Sequence, residues 1–346
     1  MVERTAEVIV LGAGVMGCSA AYWLSGEGYQ VLLLEKESLA VGASGMSAAM
    51  WLAGGRGDQA EGADPLAELS RLGFQLHHSL ADTLPAESGV DYGYRENPTI
   101  YPAFTEDEAA QVRGRLAAVH GDDPSARWLE GKALREVEPR LNPQALGGLV
   151  CRQAQVIAGR FVLALAQAAE RRGAQLRNAA VAGLTRSADR VTGVRLRDGR
   201  VLGAERVVLA MGPWTQEAEA WLGMRAPIYP VRGQILELRL PDPQLQASIS
   251  YGGGYVVHKA DGTTLAGTTE EHESGFVNET TPQGLEAIMD GALQMAPSLM
   301  DAQLMNRVSG LRPCCEDRLP MIGAVPGWEG VYLTAGHFRN GMVQSV

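Results

Sequence analysis

Three glycines and a glutamate near the start of the chain have the spacing that binds a dinucleotide. Gly12, Gly14 and Gly17 form a G-x-G-x-x-G sequence, and Glu35 closes the apolar run that comes next. In this pattern the first glycine allows a tight turn, the second lets the backbone approach a pyrophosphate, and the third lets a helix pack on a strand. A carboxylate at the position of Glu35 accepts from a ribose hydroxyl and repels the extra phosphate of NADP. The spacing therefore predicts dinucleotide binding.

A β-α-β unit must position these residues. An apolar run over 8–11 ends at the first glycine, a helix-like stretch covers 18–24, and a second apolar run covers 31–34. The N-terminus of such a helix offers free N–H groups and a positive dipole to a phosphate. The run of small residues over 42–50 would let backbone press against a flat or phosphorylated ligand, and a flexible loop is its alternative interpretation.

The rest of the chain predicts a mixed α/β fold with an antiparallel sheet. Turn residues such as Glu96-Asn97-Pro98 interrupt the helical segments. Predicted helices cover 65–84, 106–119 and 159–172, and predicted strands cover 179–184, 191–197, 206–210, 234–240, 254–258 and 264–267. A β-α-β start with an antiparallel insertion indicates two interleaved domains. The expected Rossmann-type domain comprises 1–84, 145–222 and 306–346, and the expected substrate domain comprises 85–144 and 223–305.

Composition narrows the function classes. The 346 residues carry 30 Lys+Arg against 40 Asp+Glu, a net charge of −10, which disfavours nucleic acid and anionic membranes as partners. The four cysteines form no C-x-x-C pair, and adjacent His77 and His78 point in different directions on a helix, so no metal site is expected. Without a signal-peptide core or an apolar run of roughly 20 residues, we expect a cytoplasmic protein that does not span a membrane.

Seven segments in order resemble the D-amino-acid oxidase family of flavoproteins, and within it the glycine oxidase branch. The segments are 8–35, 42–50, 206–214, 230–234, 267–270, 310–313 with Asp317 and Pro320, and 336–341. Each is a modest match alone, but together they run from one end of the chain to the other and are specific for the family.

The resemblance implies FAD as a tightly bound cofactor. The loop over 336–341 would lie at the pyrimidine edge of the flavin, where backbone N–H groups stabilise negative charge. We expect non-covalent FAD, because Cys314 and Cys315 are displaced from the position where some relatives attach flavin, and packed thiols are the ordinary alternative. The implied cofactor residues are Gly12, Gly14, Val15, Met16, Gly17, Glu35, Lys36, Ser44, Gly45, Ala49, Met50, Val181, Gly212, Gly336, His337, Arg339, Asn340, Gly341 and Met342.

The resemblance also implies how substrate is held. Arg312 occupies the place of the family's carboxylate anchor, and a guanidinium can hold a carboxylate through two parallel hydrogen bonds. Tyr255 matches a tyrosine that donates to the same carboxylate, and Arg339 is expected to act mainly through its loop. An interdomain salt bridge is the alternative for Arg312, and a strand aromatic for Tyr255. Glycines at 252–254 predict a pocket with more room than glycine needs.

The implied activity is oxidation of glycine, sarcosine or a small D-amino acid, with hydride transfer from the α-carbon to flavin N5. The products would be an oxo acid, ammonia or an amine, and hydrogen peroxide made from molecular oxygen, by a homo-oligomer without a dedicated base. An amino-acid or opine dehydrogenase with another acceptor is one alternative. The family continues into a C-terminal helix beyond the position of Val346, so a flavin-binding subunit that needs a partner is a second alternative. An NAD-dependent dehydrogenase is a third.

Overall fold

The computed structural model describes residues 5–52 and 66–346. Within these ranges the strands are β1 (Val8–Leu11), β2 (Val31–Glu35), β3 (Met50–Leu52), β4 (Arg95–Ala103), β5 (Arg127–Glu130), β6 (Gly147–Gln155), β7 (Gln175–Asn178), β8 (Val181–Ser187), β9 (Arg190–Leu196), β10 (Val201–Gly203), β11 (Arg206–Leu209), β12 (Ile228–Arg239), β13 (Ser248–Tyr251), β14 (Gly254–His258), β15 (Thr264–Gly267), β16 (Gln303–Cys315), β17 (Met321–Ala324) and β18 (Val331–Ala335). The α-helices are α1 (Val15–Gly26), α2 (Ala67–Ser88), α3 (Glu106–Gly114), α4 (Leu116–Asp122), α5 (Gly131–Val137), α6 (Ala158–Arg171), α7 (Glu219–Leu222) and α8 (Pro282–Met295). Short 3₁₀ helices cover Gly212–Ala218, His272–Ser274, Pro297–Asp301 and Val343–Ser345.

The predicted β-α-β unit forms the centre of a six-stranded sheet. Its strand order is β17-β18-β11-β1-β2-β7, and every pairing except β17 with β18 is parallel. Val8 and Val10 pack with α1 and α6, whereas Ile9 and Leu11 pack on the other face with the small sheet β10-β9-β8. Burial on both faces explains why β1 is apolar throughout, as parallel strands covered on two sides are. The mixed α/β fold with a Rossmann-type sheet is confirmed.

A nine-stranded sheet forms the second part of the fold. Its order is β16-β12-β15-β14-β13-β4-β6-β3, with β5 also paired to β6. Alternation along β14 sends Val256 into the core beneath α8, while Tyr255 and Val257 point to the other face, where they pack with Ala48 and Ile235. One face of the sheet is thus buried beneath a helix, and the opposite face presents Tyr255.

The turn predicted at residues 96–98 was wrong, because these residues lie inside β4. Proline interrupts strands by removing a ladder donor. Pro98 is tolerated because β13 pairs with β4 only at Thr99 and Ile100, so that Pro98 lies beyond that pairing. A turn-forming sequence was therefore overridden by pairing with a distant strand, β6.

Other boundaries differ from the prediction in smaller ways. The predicted helix over 106–119 is two helices that meet at Arg115, which is the last cap of α3 and the first of α4. The helix predicted over 65–84 runs from Ala67 to Ser88, and Pro65 lies outside the described residues. Strand β6 and helix α8 were not predicted.

The two-domain division remains a prediction. Strands β3 and β6 and most of β16 in the nine-stranded sheet come from segments that this division gives to the Rossmann-type domain. In the ranges that the structure covers, no helix is long and apolar enough to cross a membrane.

Candidate active site

The glycine-rich loop after β1 is packed too tightly for side chains. A Cβ on Gly12, whose φ is +100°, would lie 2.5 Å from the carbonyl oxygen of Ala210, and a Cβ on Gly17 would collide with the carbonyl of Gly12. Gly14 caps the start of α1, and its Cβ would lie 3.2 Å from Ser44 Oγ. The loop therefore brings bare backbone to the helix N-terminus, which is the arrangement that accepts a pyrophosphate.

Two side chains fix the edges of this loop. The N–H of Val15 donates to Ser44 Oγ at 2.9 Å. Glu35 accepts from the N–H of Ala13 at 2.8 Å and, through its other carboxylate oxygen, from the N–H of Glu37 at 2.9 Å. Each carboxylate oxygen has a second lone pair, so Glu35 retains acceptor capacity for a ribose hydroxyl.

A single large cleft joins this loop to the nine-stranded sheet. It encloses about 1830 Å³, open solvent at its mouth included, and its lining extends from Glu35 and Val181 to Tyr255 and Arg312. His337 also lines it, and His337 Nε2 is buried with no hydrogen-bond partner among the residues the structure describes. FAD fits this cleft for three reasons. The glycine-rich loop exposes backbone at a helix N-terminus, the Glu35 carboxylate can accept from a ribose hydroxyl, and the buried His337 Nε2 has no partner among the described residues.

Arg312 is held flat at the far end of the cleft. Its guanidinium donates to the carbonyl of Thr269 at 3.0 Å and to Thr268 Oγ1 at 2.7 Å, and it lies against Gly233, where a Cβ would collide with it. Burial lowers the pKa of Arg312 from its ordinary value, yet both bonds go to neutral oxygens. Its cationic charge is therefore available to an anion in the cleft, and Arg312 forms no ion pair with another described residue.

Tyr255 stands beside Arg312 on β14. Its ring lies over Gly267, where a Cβ would be 2.5 Å from the hydroxyl, and the residue is 6% exposed. Burial raises the pKa of Tyr255 to about 12. The hydroxyl is consequently protonated at neutral pH and can donate a hydrogen bond.

Arg339 and His337 lie in the loop after β18. Arg339 Nη1 is 3.6 Å from Glu270 Oε2, and the residue lines both the main cleft and a second cavity beside it. Burial lowers the pKa of His337 to about 4, so His337 is neutral at pH 7. The predicted structural role of the loop stays a prediction, although the Arg339 side chain itself reaches the cavity wall.

Most predicted cofactor residues line the cleft. Those that do are Gly12, Gly14, Val15, Met16, Glu35, Lys36, Ser44, Ala49, Met50, Val181, Gly212, His337, Arg339, Gly341 and Met342. Four do not: Gly17 packs on Gly12, Gly45 on Ala40, and Gly336 on Cys315, while Asn340 lines the second cavity. Cys314 and Cys315 are buried and do not line the cleft, and non-covalent attachment of FAD stays a prediction.

Sequence reasoning missed the residues that support the arginine. Gly233, Thr268 and Thr269 belong to segments that resemble the family, but no role was assigned to them. Their contacts depend on β12 pairing with β16 in the register that sets Gly233 opposite Gly310. Only that register places the Arg312 guanidinium against Gly233, which has no side chain. The register cannot be inferred from the sequence of one strand alone.

Comparisons with known proteins extend over nearly the whole chain. A family model described as FAD dependent oxidoreductase (DAO) matches residues 7–346. Glycine oxidase of Geobacillus kaustophilus is 32% identical over 98% of this chain and 89% of that relative. The structure of glycine oxidase from Bacillus cereus ATCC 14579 matches with a TM-score of 0.91 and 29% identity, over 98% of this chain and 94% of the other. Iminodiacetate oxidase from Chelativorans sp. BNC1 matches with a TM-score of 0.88 and 26% identity, over 98% and 92%.

Proposed function

This chain belongs to the DAO family of FAD-dependent oxidoreductases, as its motifs predict, and from that premise we propose that it oxidises glycine, sarcosine or a small D-amino acid. The carbon that bears the amino group is the one oxidised, and the products are an oxo acid and ammonia or a primary amine. Molecular oxygen takes the electrons and becomes hydrogen peroxide.

One observation carries the substrate proposal: a guanidinium bonded only to neutral oxygens faces the same cleft as the glycine-rich loop. Arg312 can hold an α-carboxylate through two parallel hydrogen bonds, and the Tyr255 hydroxyl adds a third donor. Three donors at one end of a cleft fix both the position and the angle of a small amino acid, which is how an enzyme turns binding into rate.

The protein contributes orientation and the cofactor contributes the redox chemistry. Bound FAD would supply the two-electron acceptor for the hydride of the α-carbon, and hydrolysis of the resulting imine by water would give the oxo acid. Arg312 and Tyr255 keep the carboxylate end still, and their burial keeps bulk water from competing for those hydrogen bonds. The substrate nitrogen enters as a neutral amine, so none of the described side chains is assigned as a base.

The stoichiometry of the reaction tests this proposal. Two electrons and two protons leave the amine, and the same number converts one oxygen molecule into one hydrogen peroxide. With glycine, sarcosine or D-alanine we expect oxygen uptake, peroxide and oxo acid in equal amounts. Substrate oxidation that proceeds only with an added quinone or dye would instead indicate a dehydrogenase.

A further inference from the structure

A second cavity opens beside the substrate end of the cleft. It encloses about 1720 Å³, open solvent included, nearly as much as the cleft itself. The two share the walls Ser47, Ala49, Met50, Tyr255, Arg339 and Met342. Because Tyr255 lines both, the second cavity adjoins the end of the cleft where Arg312 lies.

Arg115 lines only the second cavity, and its guanidinium is not satisfied. It stacks on the ring of Tyr101 at 5.0 Å, and its Nε and Nη2 are buried with no hydrogen-bond partner in the described ranges. Buried charged donors without partners are costly, and natural proteins pair them. Two residues earlier, Arg113 shows the ordinary arrangement, since it is ion-paired with Glu130 on the surface.

Glu108 is the acidic residue that lines this cavity among those the structure describes, and it is not free to neutralise Arg115. Glu108 already accepts from the N–H of Phe104 at 2.7 Å, the N–H of Thr105 at 3.2 Å and the hydroxyl of Tyr251 at 2.8 Å. These bonds, the Phe104 N–H first, lower the pKa of Glu108 and use it to close the start of α3. Within the described part of the chain, Arg115 therefore has no anionic partner.

A second orphaned donor in this cavity also favours a ligand that accepts hydrogen bonds. Trp51 lines the cavity, and its indole N–H is buried without a partner among described residues. Gln153 also lines it, and its Oε1 is buried without a partner in the described ranges; turning the amide would present its NH₂ group there instead. An indole and a guanidinium are donors only, so the group that satisfies both is an acceptor.

We propose that the second cavity receives a second acidic group of the substrate, bound by Arg115 while Arg312 holds the α-carboxylate. The proposal rests on the function proposed above and narrows its substrate class to amino acids or N-substituted glycines that carry a distal carboxylate. Arg115 is then a specificity-determining residue.

Matched substrate pairs test this on the FAD-loaded protein. Sarcosine and N-(carboxymethyl)glycine differ by a carboxylate on the N-methyl group, and D-alanine and D-aspartate differ by a carboxylate on the side-chain methyl. We expect the acidic member of at least one pair to reduce the flavin anaerobically with a rate constant over Kd about tenfold higher or more, since one charged contact is worth at least that factor. Arg115→Gln should lower that value at least about tenfold more for the acidic member than for its partner.

The control and the contrary results are distinct. Arg113→Gln, two residues before Arg115 and outside both cavities, should keep the preference, and Arg115→Lys provides a charged variant if Arg115→Gln loses FAD. The proposal would be overturned, while the oxidase function stands, by either of two results. The first is flavin reduction that is as fast or faster with the members that lack the distal carboxylate, and the second is an equal effect of Arg115→Gln on both members. If no member reduces the flavin, both proposals fall.

Discussion

Two buried cationic side chains lie close to the cleft, and their surroundings give them different tasks. Arg312 is held by hydrogen bonds to Thr268 and Thr269, so its guanidinium is bonded to neutral oxygens and can bind an anion in the cleft. Lys259 is 3% exposed, and its Nζ donates to the carbonyls of Ala48 at 2.5 Å and Ala49 at 3.4 Å, which line the cleft. The first suits substrate binding, and the second suits holding the cleft wall in place.

Replacing Arg312 should damage substrate binding and leave the cofactor bound. For Arg312→Gln we expect kcat/KM to fall by about a hundredfold or more, since two charged hydrogen bonds are lost at 1.5–3 kcal/mol each. Arg307→Gln, on the same strand but exposed, is the matched control. Unchanged kinetics in Arg312→Gln would remove Arg312 from the site.

Lys259 should give the stability of the protein a specific pH dependence. Burial lowers the pKa of Lys259 from 10.5 to about 7, with the charge of Arg95 adding to the effect and Asp261 opposing it. Between those values the unfolded chain binds more protons than the folded one, so the free energy of unfolding rises with pH. Relative to Lys259→Met, the wild type should gain about 2–3 kcal/mol between pH 6.5 and 9.5.

Urea unfolding at the two pH values measures that difference. Lys132→Met serves as the control, because the Lys132 side chain is 88% exposed and should contribute no such pH dependence. A difference between wild type and Lys259→Met that stays constant with pH would contradict a depressed pKa at this position.

What the sequence could predict at single positions depended on the resemblance. It led to Arg312 and Tyr255, whereas the glycine spacing alone led to Glu35, and all three line the cleft. It did not lead to Lys259 or Arg115, since a lysine or arginine in the sequence carries no sign that folding will bury it. Burial arises from segments far away in the chain, such as Ala48 packing over Lys259.

At the scale of elements, two glycines of the nine-stranded sheet lie directly beneath the side chains that are proposed to bind substrate. Gly233 on β12 lies beneath the Arg312 guanidinium, and Gly267 on β15 lies beneath the Tyr255 ring. Side chains one strand away can therefore lie flat instead of pointing outward. Strand pairing, not any single residue, sets the geometry of the anchor.

Adding one methyl group at Gly233 should displace the Arg312 guanidinium. In Gly233→Ala the new Cβ would collide with the Arg312 guanidinium, so we expect KM for the amino-acid substrate to rise about tenfold or more with FAD still bound. Gly291→Ala in α8 is the control, since its Cβ meets nothing within 4 Å. A Gly233→Ala variant with normal KM would show that Arg312 does not need this position.

The loop between β1 and α1 should respond in the opposite way, by losing the cofactor. Gly14→Val places branched carbons where bare backbone faces the cleft, so we expect folded protein without flavin. The ratio of flavin to protein absorbance after purification measures this. Gly159→Ala, whose Cβ meets nothing within 4 Å, should stay fully loaded, and a yellow Gly14→Val protein would contradict the cofactor position.

Elements with a local pattern were predictable and elements fixed by distant pairing were not. The apolar run and glycines of 8–17 specify their own strand and turn, so β1 and α1 matched the prediction closely. Strand β4 carries prolines and was taken for a turn, because its partner β6 lies about fifty residues later in the sequence. The break between α3 and α4 at Arg115 was likewise hidden in a continuous helical pattern.

At the scale of the whole molecule, one cleft brings together parts from both ends of the chain. The glycine-rich loop comes from the N-terminal 17 residues, and Arg312 and His337 come from the C-terminal part. The segment after His337 also packs on α2, where His77 Nε2 lies 2.8 Å from the carbonyl of Met342. The family resemblance predicted that these distant segments contribute to one site, whereas composition alone only narrowed the classes of function.

The most direct test of the account is the visible spectrum of the purified protein under anaerobic conditions, before and after addition of glycine, sarcosine and a panel of D-amino acids. We expect an oxidised flavin band that at least one of these substrates bleaches in the wild type and that the same substrate bleaches far less readily in Arg312→Gln. A flavin band that none of them bleaches, or a protein that takes up no FAD at all, would contradict it.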